Sequence, residues 1–137
     1  TGLGKTFLSA CIAKEVSQSG YSVVYDTAIH VFNRFEERKF AREQDQEREA
    51  RDDTRRYLNC DLLILDDLGS EMATQLVQSA LYELINGRLV SGRRTILSSN
   101  LSMDDVRARY TPQVASRLEG EYQELTFYGD DIRLKRH

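Results

Sequence analysis

Apolar positions along this chain follow two alternating spacings. From Gly4 to Gln18 they stand at Phe7, Leu8, Cys11, Ile12 and Val16. That spacing tracks one face of a helix, and Gly20 stops it. Tyr21–Asp26, YSVVYD, is a short β-branched and aromatic run and predicts a strand. Ala28 to Tyr57 predicts a helical but polar stretch. Cys60–Gly69, CDLLILDDLG, holds an unbroken apolar run from Leu62 to Leu65. Such a run fits a strand buried on both faces of a parallel sheet. Met72 to Val90 puts Leu76, Val77, Ala80, Leu81, Leu84, Ile85 and Leu89 on one helical face, and Gly92 ends it. Arg94–Asn100, RTILSSN, reads as another strand. Ser102 with Asp105 resembles a capping box opening a short helix. Thr111-Pro112 fits the cap and first turn of the next one. Gln123–Gly129, QELTFYG, reads as a last strand.

Helices and strands therefore alternate. That order predicts an α/β fold with a mostly parallel sheet and helices on both faces. The 137 residues make one domain at most, with no internal repeat or low-complexity linker. With 40% hydrophobic and 30% charged residues, the chain reads as soluble and globular. Its net charge of −3 supplies no global field toward nucleic acid or membrane, so DNA contact needs a local patch. No apolar run approaches the roughly 20 residues that span a bilayer. Cys11 and Cys60 lack CxxC spacing and read as reduced, buried thiols of a cytoplasmic protein.

Chemistry enters at the amino-terminal TGLGKT. The phosphate-loop pattern is G-x-x-x-x-G-K-[ST], and Gly4-Lys5-Thr6 supplies its second half. Its first glycine and the strand before it would lie ahead of Thr1. Gly2 and Gly4 are expected in turn conformations that let the backbone approach phosphate oxygens. The amides from Thr1, Gly2 and Leu3 through Gly4, Lys5, Thr6 and Phe7 would form an anion nest. Lys5 would reach the β- and γ-phosphates of ATP, and the Thr6 hydroxyl would ligate Mg²⁺.

A second motif stands some sixty residues on. The strand ending in Asp66-Asp67 presents two acids where open α/β sheets bind ligands. Asp66 is assigned to Mg²⁺, and Asp67 to orienting or deprotonating the attacking water. Asn100, ending the third strand, could hydrogen-bond that water or the γ-phosphate. An aspartate in the water-activating role is shorter than a glutamate, so hydrolysis is expected to be slow and switch-like.

Taken together, TGLGKTFLSACIAKEV, YLNCDLLILDDLGSE, TILSSNLS, SRLEGEY and FYGDDIRLKR resemble the AAA+ ATPases. Within them the chain is similar to the DnaC-type helicase loaders and their transposition-helper relatives, the IstB family. The resemblance covers nearly the whole chain. It implies a P-loop AAA+ core over 1–137, cut inside the phosphate loop, with a helical insert at about 28–57. It also implies that Arg117, in SRL, is an arginine finger reaching the nucleotide of a neighbouring subunit. Arg133, in DDIR, would sense nucleotide from the carboxyl-terminal side, although no helical lid follows it. In this branch a helical insert lines a channel for single-stranded DNA. Between Arg34 and Arg56 bases equal acids, which alone predicts a solvated helix laced with i, i+4 pairs. Yet Arg34, Arg38, Lys39 and Arg42 cluster beside Phe35 and Phe40, and bases with aromatics can grip a single strand.

The resulting expectation is an ATPase that loads a DnaB-type replicative ring helicase onto single-stranded DNA. The alternatives are an IstB-type ATPase delivering target DNA to a transposase and a nucleotide-binding module that does not hydrolyse. A metabolite kinase fits less well, because Asn100 and the SRL arginine have no place in it. The family's sheet sets the strand before the phosphate loop between the sensor strand and the last strand. The chain is thus expected to be part of a longer protein or to borrow a strand. Alone, the 137 residues are expected to fold poorly and bind ATP weakly.

Overall fold

The computed structural model describes residues 2–124, with side chains from Lys5 onward. Helix α1 covers Gly2–Gln18, strand β1 Val23–Thr27, α2 Ala28–Phe40, α3 Gln44–Asn59 and β2 Leu62–Leu68. Then come α4 Gln75–Val90, β3 Arg94–Ser99, α5 Met103–Arg109 and α6 Pro112–Glu121. The described strands form one parallel sheet in the order β1-β2-β3. The expected last strand falls almost wholly outside the described residues.

β2 is central and behaves as its apolar run demands. Leu62, Leu63, Ile64 and Leu65 are all buried, so both faces of the sheet are covered. Leu63 and Leu65 join the main core with residues of α2, α4 and α6. Helix α1 packs across all three strands. It does so incompletely: Ile12 and Val16 are half-buried, whereas Phe7, Leu8 and Cys11 are exposed. The expectation of two buried thiols therefore holds for Cys60 and fails for Cys11.

The polar stretch over Ala28–Tyr57 is two helices, because the backbone turns extended at Ala41. Neither helix is merely solvated. Ala28, Val31, Phe32 and Phe35 form a buried i, i+3, i+4, i+7 stripe on α2. Ala50, Thr54 and Tyr57 do the same on α3. The two helices pack on each other and against α4. Helix α4 begins at Gln75, later than expected, because the Thr74 side chain caps it by accepting from the Val77 amide. Met72, before that cap, is exposed. The Ser102–Asp105 capping box and the Thr111-Pro112 start are both present.

Candidate functional site

Parallel strands open all their carboxyl ends on one edge. There Lys5, Thr6, Thr27, Asp66, Asp67, Ser98, Ser99 and Asn100 line a cavity of about 350 Å³. Four separate stretches of sequence meet in it: the start of α1 and the ends of all three described strands.

Lys5 is fixed by β3. Its Nζ donates to the Ser99 carbonyl at 2.5 Å and to Asn100 Oδ1 at 2.8 Å. An ammonium has three donors, so one remains for a ligand. Asn100 is therefore placed first as a partner of Lys5, a contact the sequence did not suggest.

Asp66 is held from two sides. Its Oδ2 accepts from the Tyr25 hydroxyl at 3.2 Å, and its Oδ1 accepts from the Asp67 amide at 3.0 Å. Burial, then the Asp66 charge and hydrogen bond, raise the Tyr25 phenol above its usual range; a Thr6 hydrogen bond opposes them. Tyr25 thus stays a donor to the carboxylate.

Successive strand side chains point to opposite faces, so two adjacent acids should not share one cavity. Here the register slips: Leu65 pairs with Leu97, and Leu68 with Ser99. Asp66 and Asp67 together oppose one residue, as at a β-bulge. Asp67 takes φ 58°, in the left-handed region that aspartate tolerates better than most residues. Bulge and turn together bring both carboxylates to the cavity. Ser99 Oγ locks the turn to β3 by donating to the Leu68 carbonyl at 2.5 Å.

Beside the cavity, Asp26 is pinned by the Thr27 amide at 2.8 Å, the Tyr57 hydroxyl at 2.8 Å and His30 Nδ1 at 2.5 Å. Thr27 and Ser99 line the cavity and Tyr25 bonds Asp66, three placements that the sequence reading missed. Their one signal was position, at the carboxyl ends of predicted strands.

Other expected residues fall elsewhere. Gly2 and Gly4 belong to α1, so the expected turn conformations are absent there and their amides are first-turn amides with no partner within the helix. Leu3 lies in the same turn, and Phe7 is 52% exposed. Thr1 and Arg133 are outside the described residues. Arg117 sits half-buried on α6, away from the cavity lining, with no hydrogen bond or ion pair among the described residues. Arg34 is engaged by Glu37 and by Asp53 at 3.2 Å, and Arg38 by Glu83 at 3.0 Å. Lys39 lies over the exposed Phe40 ring at 5.5 Å, and Arg42 is exposed.

As for a metal, Asp66, Asp67 and Thr6 are hard oxygen donors of the kind Mg²⁺ takes. Each Asp66 oxygen accepts one hydrogen bond and retains a lone pair. Two carboxylates against one ammonium leave the cavity negative, which suits a cation. The donor set fits.

A parallel sheet with its lysine, acids and amide gathered at the carboxyl edge is the arrangement of the P-loop fold of the AAA+ type. Solved structures share this fold. A DnaC helicase loader superposes with a TM-score of 0.71 at 21% identity, over 89% of this chain and 71% of that one. A DnaI structure gives 0.74 at 20%, over 95% and 67%. A replication initiator DnaA bound to AMPPCP and single-stranded DNA gives 0.72 at 22%, over 92% and 38%. The chain spans 36%, 38% and 35% of three replication-initiation structures and 47% of a fourth. No curated protein matches it. Its family is nonetheless clear: the chain belongs to the IstB-like ATP-binding proteins, whose profile matches residues 1–135. Among the described residues, no helix is long and apolar enough to cross a membrane.

Proposed function

We propose that the chain is the ATPase core of a replicative helicase loader. The observation that carries the reading is the convergence of Lys5, Thr6, Asp66, Asp67 and Asn100 on one cavity. Lys5 would bind phosphate oxygens with its remaining donor. Thr6 and Asp66 would hold Mg²⁺, which supplies the positive charge that lets a triphosphate sit beside two carboxylates. Asp67 would orient the attacking water and draw off its proton, and Asn100 would keep Lys5 aimed while bonding the γ-phosphate or that water. Gly2, Leu3, Gly4 and Phe7, with Thr1, would contribute the anion-binding end of α1. Arg133 would sense the nucleotide from beyond the sheet.

Arg117 supports self-association. It stands outside the lining of the Lys5 cavity and has no hydrogen bond or ion pair among the described residues, which suits a guanidinium offered to a neighbour's nucleotide. Single-stranded DNA would meet the insert at Lys39 and Arg42 around Phe40, the bases of that cluster with no carboxylate partner among the described residues; Arg34 and Arg38 would shape the surface from within their ion pairs. The protein would work in the cytoplasm, with a DnaB-type helicase as partner.

A second reading is favoured by the family match itself: an IstB-type ATPase that delivers target DNA to a transposase. Phosphate release by the intact protein, measured with capture of a hexameric helicase or of a transposase, separates the readings. Magnesium-dependent hydrolysis with helicase capture is expected. Transposase capture selects the second reading, and nucleotide binding without hydrolysis defeats both. Lys39→Ala with Arg42→Ala should weaken single-strand affinity and flatten its salt dependence.

A further inference from the structure

Glu71 is an acid buried to 7% exposure, three residues beyond β2, and the cavity does not use it. Its two oxygens face two different parts of the molecule. Oε2 accepts from the Gly69 amide at 2.8 Å. Gly69 has φ 109° and directly follows the bulged turn that carries Asp67. A Cβ there would meet the Leu101 side chain at 2.8 Å, so the turn is packed hard against the segment after Asn100. Oε1 accepts from the buried Tyr110 hydroxyl at 2.6 Å. Tyr110 caps the end of α5, and the next residue, Thr111, caps the start of α6. Helix α6 carries Arg117. The Arg109 guanidinium lies 3.7 Å from Oε2 and supplies the counter-charge.

We propose that Glu71 is a positioning residue that couples the Asp67 turn of one subunit to the Arg117 helix it offers to the next. This rests on the proposed ATPase reading. A buried carboxylate with both oxygens satisfied is a stiff link, because leaving either bond unmade strands a charge away from water. Movement of the Asp67 turn when nucleotide binds or leaves is passed through Gly69, Glu71 and Tyr110 to the cap of α6. The arginine acting on the neighbour's nucleotide thereby responds to its own subunit's site.

The test compares kcat and nucleotide affinity in the intact protein for Tyr110→Phe, Glu71→Gln, Arg117→Ala and the Tyr110→Phe/Arg117→Ala double variant. Tyr110→Phe removes the one hydroxyl and preserves the ring, so it keeps the test open should Glu71→Gln misfold. The coupling role gives a loss of kcat of about tenfold or more, since small misplacements at a reacting centre cost that much. The dissociation constant for ATP stays within about twofold, as for a group acting only in the reaction step. The double variant is no slower than Arg117→Ala alone, because one residue acts through the other. If Arg117→Ala hydrolyses as the wild type does, the arginine-finger reading fails and the coupling with it. If Arg117→Ala is slow while Tyr110→Phe is not, or if the two losses multiply, the coupling alone is overturned.

Discussion

Two cations sit at opposite ends of the sheet, each fixed on neutral oxygens. At the amino ends of β2 and β3, Arg88 is fully buried. Its Nε donates to Thr95 Oγ1 at 2.8 Å, and its terminal nitrogens donate to the carbonyls of Tyr57 at 2.8 Å and Arg94 at 2.6 Å. Longer bonds reach the carbonyls of Leu58 and Asp61. Burial lowers its pKa, and no carboxylate pairs with it among the described residues. At the carboxyl ends, Lys5 also rests on a carbonyl and an amide oxygen, but beside an open cavity holding two acids. The guanidinium has spent its donors on the fold, while the ammonium has one left over. A buried cation with every donor satisfied holds the structure together. One fixed at the edge of an open acidic cavity is set up for a ligand.

The comparison breaks first at Arg88. Arg88→Ala strands several buried carbonyls and should cost about 3–5 kcal/mol in denaturant unfolding. Arg88→Lys should not restore it, since a point charge cannot reach the same oxygens. A loss below about 1 kcal/mol would place Arg88 with ordinary surface arginines. Next comes Asp67→Asn, which should lower kcat about 10²-fold or more while leaving stability nearly unchanged. An equal loss from both substitutions in both assays would erase the distinction between the two ends.

Smaller effects sharpen the picture. Cys11 should react with a thiol reagent in the native protein. Cys60 should not, because burial raises its thiol. Mass spectrometry after labelling distinguishes them. Smallest is Asp61, an exposed carboxylate that accepts from the Ser22 amide at 2.8 Å and hydroxyl at 3.1 Å. These bonds hold its pKa below the ordinary 3.8. A depressed folded value stabilises above the unfolded value and is lost as pH falls through the folded one. The difference in thermal midpoint between the wild type and Asp61→Asn should therefore be full at neutral pH, begin to shrink only once pH falls to about 3.8, and disappear below the lower folded value.

Local rules made much of the fold legible. LLIL announced β2, and the Ser102 and Thr111 caps marked α5 and α6 because capping depends on neighbours in sequence. That Lys5, Thr6, Asp66 and Asn100 come together at one cavity was legible, from the GKT motif for the first two and, for the acid and the amide, because a parallel sheet sends its strand ends to one edge. Illegible were features made by distant pairs. The stripe on α2 was hidden among charges that point outward from the same helix. Tyr25 meets Asp66 across 41 positions, Tyr110 meets Glu71 across 39, and Arg88 meets Tyr57 across 31. The bulge that turns Asp67 toward Asp66 leaves no mark in sequence at all, since DD reads the same in a straight strand.

The central claim is that the cavity around Lys5 receives a magnesium-bound triphosphate. Calorimetric titration of ATP into the intact protein, with and without Mg²⁺, tests it against Lys5→Ala. The account predicts that removing either Mg²⁺ or the ammonium weakens binding by at least about tenfold, or 1.4 kcal/mol, while Lys5→Ala unfolds at the wild-type denaturant midpoint. Equal ATP affinity in the wild type and in Lys5→Ala would contradict it.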